Sequence, residues 1–445
     1  MSTGNSRVDL TRVPLIRKWL VSRWAQYIIR VVALGGFLFT ILAGFLGPVV
    51  GSHDFAIIMV WIAWWTALKL GFIPLGGRSW CSICPIPMPG EWLQNRGFFK
   101  SRHKGTLPTR QLPKLLRGKW LQAVGFLMVG LFGAVTLTSS RVTAIVLAGI
   151  LVLALILSLI YERRSFCRYV CPIGGFTGLY AKAAPVEVRT LDINVCRQCI
   201  DKPCYQACSW GQYPPALQTS ADCGLCMECL RVCPHENITV RLRQWGSEFQ
   251  EKAKARLDET FLGLVMLSSV LVDTAVFLGP WGGLKTAAYS IGSREWLIYS
   301  ALFMLVALVI LPACFTLAVW FGARFKKTGQ PLVRQIAHAG QVLIPLGLCA
   351  WIAFTISFAF AKFGYVLPVL SDPLGWGWHL LGPIRQAGVG QVSSISQTLQ
   401  LVVLAAGLFW SANTVRRIYS SRSQALPLIL FASIFTMIFM WLLIG

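Results

Sequence analysis

The sequence predicts an integral membrane, all-α protein with about nine transmembrane helices and one water-soluble insert. Three observations carry this. Hydrophobic residues make up 55% of the 445 and charged residues only 13%, where a soluble chain carries roughly 25% charged. A span needs about 20 mostly apolar residues, and nine segments meet that: 27–50, 55–75, 120–139, 142–161, 260–280, 295–321, 335–361, 397–415 and 425–444. The long polar stretch left between them, 162–259, holds ten of the 14 cysteines.

The first span follows an Arg-rich flank of Arg12, Arg17, Lys18 and Arg23. Its apolar run is too long for a signal peptide and no small-residue cleavage site follows, so an uncleaved span is expected. With the N-terminus in the cytoplasm and the spans alternating, the inner segments hold 34 of the 41 Lys and Arg and the outer segments five. Long insertions obey the positive-inside rule poorly, yet without 162–259 the count is still 21 against five. The expectation is a cytoplasmic N-terminus and insert, with an external C-terminus. The same bias accounts for the net charge of +24 without a nucleic acid.

The insert reads Cys196-x2-Cys199-x4-Cys204-x3-Cys208, then Cys223-x2-Cys226-x2-Cys229-x3-Cys233-Pro234. The second run is the bacterial ferredoxin signature, in which three thiolates wrap one cubane and the fourth, before Pro, reaches the other. The first run has a longer loop before Cys204, and Ser209 where Pro would stand. By the crossed rule one [4Fe–4S] cluster takes Cys196, Cys199, Cys204 and Cys233, and the second takes Cys223, Cys226, Cys229 and Cys208. Zinc would want two pairs across a longer spacer, often with His, and disulfides are disfavoured in the cytoplasm. Three domains are expected. Residues 1–189 form a membrane domain of two helical hairpins, 190–243 a double-cubane ferredoxin domain, and 260–445 a five-helix membrane domain.

Each of those two hairpins is followed by a cysteine pair and proline: Trp80-Cys81-Ser82-Ile83-Cys84-Pro85-Ile86 and Phe166-Cys167-Arg168-Tyr169-Val170-Cys171-Pro172-Ile173. Such self-similarity marks an internal repeat and would bring four thiols toward a pseudo-twofold axis at the cytoplasmic membrane surface. Cys81, Cys84, Cys167 and Cys171 then hold a further iron–sulfur cluster, act as redox dithiols, or are structural thiols. Nearby Arg78, Arg163, Arg164 and Arg168 would favour thiolates.

Two dicysteine-proline motifs after span pairs, followed by a double-cubane ferredoxin, resemble the membrane polyferredoxins of the NosR and NapH type. These serve nitrous-oxide reduction and, as a quinol-dehydrogenase subunit, periplasmic nitrate reduction. The resemblance covers about 20–240 and rests on Cys81, Cys84, Cys167, Cys171 and the eight insert cysteines. It implies a multi-pass protein of the bacterial inner (cytoplasmic) membrane that passes electrons to partner redox subunits in a complex. The first motif has x2 where the family more often has x3, no flavin-bearing domain precedes the first span, and the five C-terminal spans lie outside the shared core.

In that second half, Asp273 lies in the fifth span, where an ionisable residue is a functional candidate by default. It would relay a quinol proton or bond a neighbouring helix. Arg30 and Lys69 would pair with carboxylates or snorkel to the interface. His338 and His379 fall a whole span apart, which disfavours haem b. Cys314 and Cys349 read as core residues. The Trp-rich loop 373–379 would dock a partner, cap a quinone pocket, or belong to an interfacial aromatic belt. The function this supports is electron transfer through iron–sulfur clusters between a quinone pool and partner subunits. The alternative is a redox maturation factor that reduces a metal or disulfide for another enzyme.

Overall fold

A computed structural model describes residues 7–48, 53–95, 110–250, 255–325, 329–382, 393–419 and 421–444. Among the described residues, eight helices are long and apolar enough to cross a membrane: Arg23–Leu46, Phe55–Gly76, Ser140–Ile160, Leu257–Phe277, Arg294–Phe325, Leu332–Ser371, Ile395–Ile418 and Arg422–Leu443. They meet eight of the nine expected spans.

The ninth, 120–139, is broken. An apolar helix runs Trp120–Leu131 and a single further turn runs Gly133–Thr136, with Phe132 between them at φ −95 and ψ 10. Gly133 weakens the helix interior. The Thr136 hydroxyl donates back to the carbonyls of Phe132 and Gly133, and that of Thr138 to Ala134, the side-chain competition that bends helices. Hydropathy sees only that the segment is apolar, so it cannot see this break.

The chain forms two compact units. The first comprises Met1–Phe39, Gly71–Leu121 and Leu147–Lys254, and it corrects the all-α expectation. Strands β1 (Val8–Asp9), β2 (Val186–Thr190) and β3 (Ile238–Leu242) form an antiparallel sheet in the order β1-β3-β2. Val186 pairs with Leu242 and Thr190 with Ile238. Val188, Ile238 and Val240 bury one face against Leu225, Met227 and Leu230. On β2, Glu187 is also buried and meets Arg243, which in turn meets Glu248. Five-residue strands that carry Glu187, Arg189 and Arg241 give almost no alternation to read.

The second unit comprises Thr40–Leu70, Gln122–Val146 and Ala255–Gly445. It is a helical bundle centred on Leu343–Lys362, which packs against Leu257–Phe277 and Ser393–Ile418. Small residues let these backbones approach, as membrane helices require. A Cβ on Gly407 would lie 2.5 Å from Cβ of Cys349, and one on Gly44 2.8 Å from Cβ of Ala144. Cys349 is therefore core. Cys314 is not: it is exposed on its helix, because a thiol is apolar enough to face either protein or lipid.

Candidate metal centre

Each insert cysteine sits on or beside a turn that its neighbours shape. Asp192 caps the short helix that carries Cys196, accepting from Asn194 N at 2.8 Å. Pro203 opens the helix that carries Cys204, after Lys202 in the left-handed region. Between Cys223 and Cys229, Leu225 and Met227 both take positive φ (50 and 60). That alternation turns successive backbone N–H groups inward, a form found at iron–sulfur sites.

The result is two four-thiol sets. Cys196, Cys199, Cys204 and Cys233 line one cavity with Tyr213 and Asn237. Burial, and after it the nearby thiol of Cys233, pushes Cys204 up to about 11. In the other set, burial and the Cys208 thiol push Cys223 up to about 11 and Cys226 to about 12. Cys229 is raised by burial and then by Cys226, Cys223 and Cys208. Donors meet the sulfurs: Asn237 Nδ2 to Cys196 at 3.1 Å, Asn237 N to Cys233 at 3.4 Å and Gln212 N to Cys208 at 3.4 Å.

The four remaining motif cysteines also come together. Cys81 lies on the turn Ser79–Ile83 and Cys84 ends it before Pro85; Cys167 lies in the wide turn Phe166–Val170. Cys171 caps the helix Pro172–Tyr180 and its sulfur accepts from Gly174 N at 3.3 Å. The Cys-Pro dipeptide has a local reason, since Pro is pre-organised for the first helical position and so sets the thiol at the cap. The Cys81 sulfur and Thr177 hydroxyl are 3.3 Å apart. Burial pushes Cys84 up to about 12, with Cys81 and then Cys171 adding to it. Burial likewise raises Cys167 and Cys171.

Burial outweighs the arginines at these thiols. Arg164 lowers Cys167, but by less than burial raises it. Arg164 is occupied by Glu91 and donates to the Cys81 carbonyl at 2.8 Å. Arg30 pairs with the other oxygen of Glu91. Arg78 donates to the carbonyls of Ala221 and Gly174. Arg163 and Arg168 lie over the rings of Tyr205 and Tyr169. Against the cost of burial, Arg164 and Arg30 hold Glu91 at about 2.

Three features here were not singled out from the sequence. Glu91 is the one acid in 76–119, and that isolation among basic residues was the available signal. Trp210 is fully buried; it packs with Cys167, Cys171 and Cys208, while Cys81 and Cys226 lie against the same cluster. It therefore joins the repeated-motif thiols to the second ferredoxin set. The Arg78 guanidinium lies 4.1 Å over its ring. A Cβ on Gly224 would overlap the indole, so only glycine fits after Cys223 without displacing the ring.

Among the described residues no three His, Cys, Asp or Glu side chains converge on a single metal ion. Buried thiols that raise one another suit a group that is cationic at each corner, since a coordinated thiol loses its proton outright. The donor chemistry fits iron–sulfur clusters, whose thiolates stand around four irons rather than one.

The sequence comparisons agree. A family profile described as a 4Fe-4S binding domain matches twice, over 57–104 and 143–188, so each match contains one cysteine pair of the repeat. The ferredoxin-type protein NapH of Escherichia coli is 28% identical over 185 residues, 38% of this chain and 62% of that protein. The chain is similar to the membrane ferredoxin-type proteins of the NapH kind. The chain thus aligns with somewhat under two thirds of that NapH. The methylamine utilization ferredoxin-type protein MauN of Paracoccus denitrificans is 26% identical over 227 residues, 43% of this chain and 75% of that protein. NapH of Haemophilus influenzae is 22% identical over 192 residues, 37% of this chain and 63% of that protein. No solved structure matches the chain. The profile match supports iron–sulfur binding, and the apolar helices are those of a multi-pass membrane protein.

The other candidate residues lie apart from the thiols in sequence. Asp273, in the helix Leu257–Phe277, faces a cavity of the second unit together with Lys69. His338 and His379 are both exposed. In the loop 373–379, Asp372 accepts from the backbone N–H groups of Trp376 and Gly377.

Proposed function

We propose that this chain is a membrane electron-transfer subunit that relays electrons through three iron–sulfur clusters. It would work between a quinone pool and partner redox subunits of a quinol-linked oxidoreductase complex, in a bacterial cytoplasmic membrane. Two [4Fe–4S] clusters are assigned to Cys196, Cys199, Cys204 and Cys233, and to Cys208, Cys223, Cys226 and Cys229. A further cluster is assigned to Cys81, Cys84, Cys167 and Cys171. The lysine and arginine bias supports a cytoplasmic N-terminus and an insert facing the cytoplasm. On this reading 1–189 anchors the relay, 190–243 is the ferredoxin domain and 260–445 is a five-helix membrane domain.

The observation that carries the reading is the contact of two of these thiol sets through Trp210. Such clusters, when bound, take up and release single electrons. The chain's own residues set the conditions. Asn237 donates to the Cys196 sulfur, and Thr177 lies beside the Cys81 sulfur; hydrogen bonds of this kind tune potential. Trp210 fills the space between the sets and keeps water from it. The Glu91 bridge between Arg164 and Arg30 holds the Cys81 turn to the segment that leads to Cys167.

Anaerobic purification with iron and acid-labile sulfide counts, followed by EPR during a reductive titration, tests this. About twelve irons per chain are expected, and about eight would limit the relay to two cubanes. Zinc without iron would overturn the reading. Cluster reoxidation by a quinone analogue is expected; metal reduction with no response to quinone would favour the maturation role instead.

A further inference from the structure

Lys69 is 4% exposed within an apolar helix. It makes no hydrogen bond or ion pair among the described residues. Its Nζ instead lies 4.5 Å from the Trp65 ring centre and 4.2 Å from that of Trp351. Asp273 stands on the wall of the same cavity and acts on Lys69 through charge, but beyond the 4 Å of a direct ion pair. Two opposite charges buried in one apolar place should close on each other, because a charge without a partner there is costly. Here they stay apart with a space between them.

The backbone around that space is irregular on two sides. Lys69 lies in the wide-turn helical segment Ala67–Phe72, a form that recurs at functional sites. Opposite, Gly133 follows the break in the third apolar segment, and a Cβ there would be 3.6 Å from Asp273 Oδ1. Broken helices at membrane depth are tolerated where they line a cavity, and in transporters they mark the binding site. The cavity itself, about 50 Å³ with Phe126 and Phe354 among its walls, admits the oxygen-bearing edge of a ring and no more. A second cavity of about 400 Å³ adjoins it, sharing Trp61, Leu137, Phe277 and Phe358; its other walls include Ile57, Ile58, Ile62 and Leu278 together with Lys285 and Lys362.

We infer that this is a binding site for a lipid-soluble quinone, with a headgroup oxygen between Lys69 and Asp273 and the rest of the molecule in the larger cavity. Lys69 Nζ donates to that oxygen in both redox forms. Asp273 accepts from it when it is a hydroxyl. The ligand class rests on the electron-transfer reading, which needs a redox partner soluble in the membrane; the site rests on the cavity and the two charges.

The test is tryptophan fluorescence of the detergent-purified, iron-loaded chain titrated with a decyl-substituted benzoquinone, since Trp61, Trp65 and Trp351 line the site and quinones quench indole emission. Saturable quenching is expected. Lys69→Met removes a charge-assisted hydrogen bond and should weaken it roughly tenfold or more. Leu137→Trp, which blocks the junction of the cavities without touching either charge, should weaken it as well. Iron content equal to the parent's shows that each variant is folded. Non-saturable quenching in the parent, or equal affinity in both variants, overturns the site and leaves the electron-transfer reading standing. Saturable quenching by a chain that binds no iron supports the site and removes the electron-transfer reading instead.

Discussion

The two units treat buried charge in opposite ways. In the first, Glu91 is held between Arg164 and Arg30, and Arg243 meets both Glu187 and Glu248. Those groups are tied into structure, beside the twelve thiols to which the clusters are assigned in the proposal. In the second unit, Lys69 and Asp273 share a cavity without meeting. A paired charge is a brace, whereas one held away from its counterpart leaves room for a ligand. The first unit is organised to keep a chain of sulfur sites still; the second keeps polar groups open to something that enters and leaves.

The comparison breaks most severely at the thiols. Cys229→Ser should cost the second ferredoxin cluster, about four irons per chain, and should change the EPR of the remaining centres. Cys171→Ala should remove the iron held by the repeated motifs and leave the signals of the ferredoxin pair. If Cys171→Ala leaves iron and sulfide unchanged, these four thiols hold no cluster and the first unit's relay ends at Trp210.

Next in size is the brace. Glu91→Gln leaves Arg164 and Arg30 without their carboxylate and should destabilise the protein by about 3 kcal/mol, seen as a lower thermal midpoint with iron still bound. Its pH dependence has a definite sign. Glu91 is depressed from an ordinary 4.5 to about 2, so its contribution is complete above about pH 4.5 and is lost as the pH falls toward 2. The parent should lose stability over that window and the Gln variant should lose less of it.

A smaller effect is expected at Gly224, where alanine would push against the Trp210 indole and cost about 1–3 kcal/mol. Iron content and the thermal midpoint should fall together, because the displaced ring shares its buried cluster with Cys171 and Cys208. The smallest is Cys314→Ser on the exposed face of its helix, which should stay within about 0.5 kcal/mol and leave the metal content unchanged. A large loss there would mean that the second unit's outer surface is covered by a partner.

Much of this was legible along the chain, and the limits have physical causes. Spans of about 20 apolar residues announce themselves, because each helix must satisfy its own backbone within the bilayer. The third did not behave as its hydropathy suggested, because Gly133 and two threonines interrupt it. The short strands Val186–Thr190 and Ile238–Leu242 were missed because their charged residues hide the alternation.

For the site the division is the same. Spacings such as Cys223-x2-Cys226-x2-Cys229 are local and covalent, and a loop of that length can present its thiols in few ways; the amino-acid order alone therefore marked out all twelve motif cysteines and the likeness of the two pairs. Arg78 over Trp210, Glu91 between Arg30 and Arg164, and Lys69 across a cavity from Asp273 join residues from 61 to 204 positions apart. No local spacing encodes such meetings. They follow from which helix faces pack together, and only the folded chain decides that.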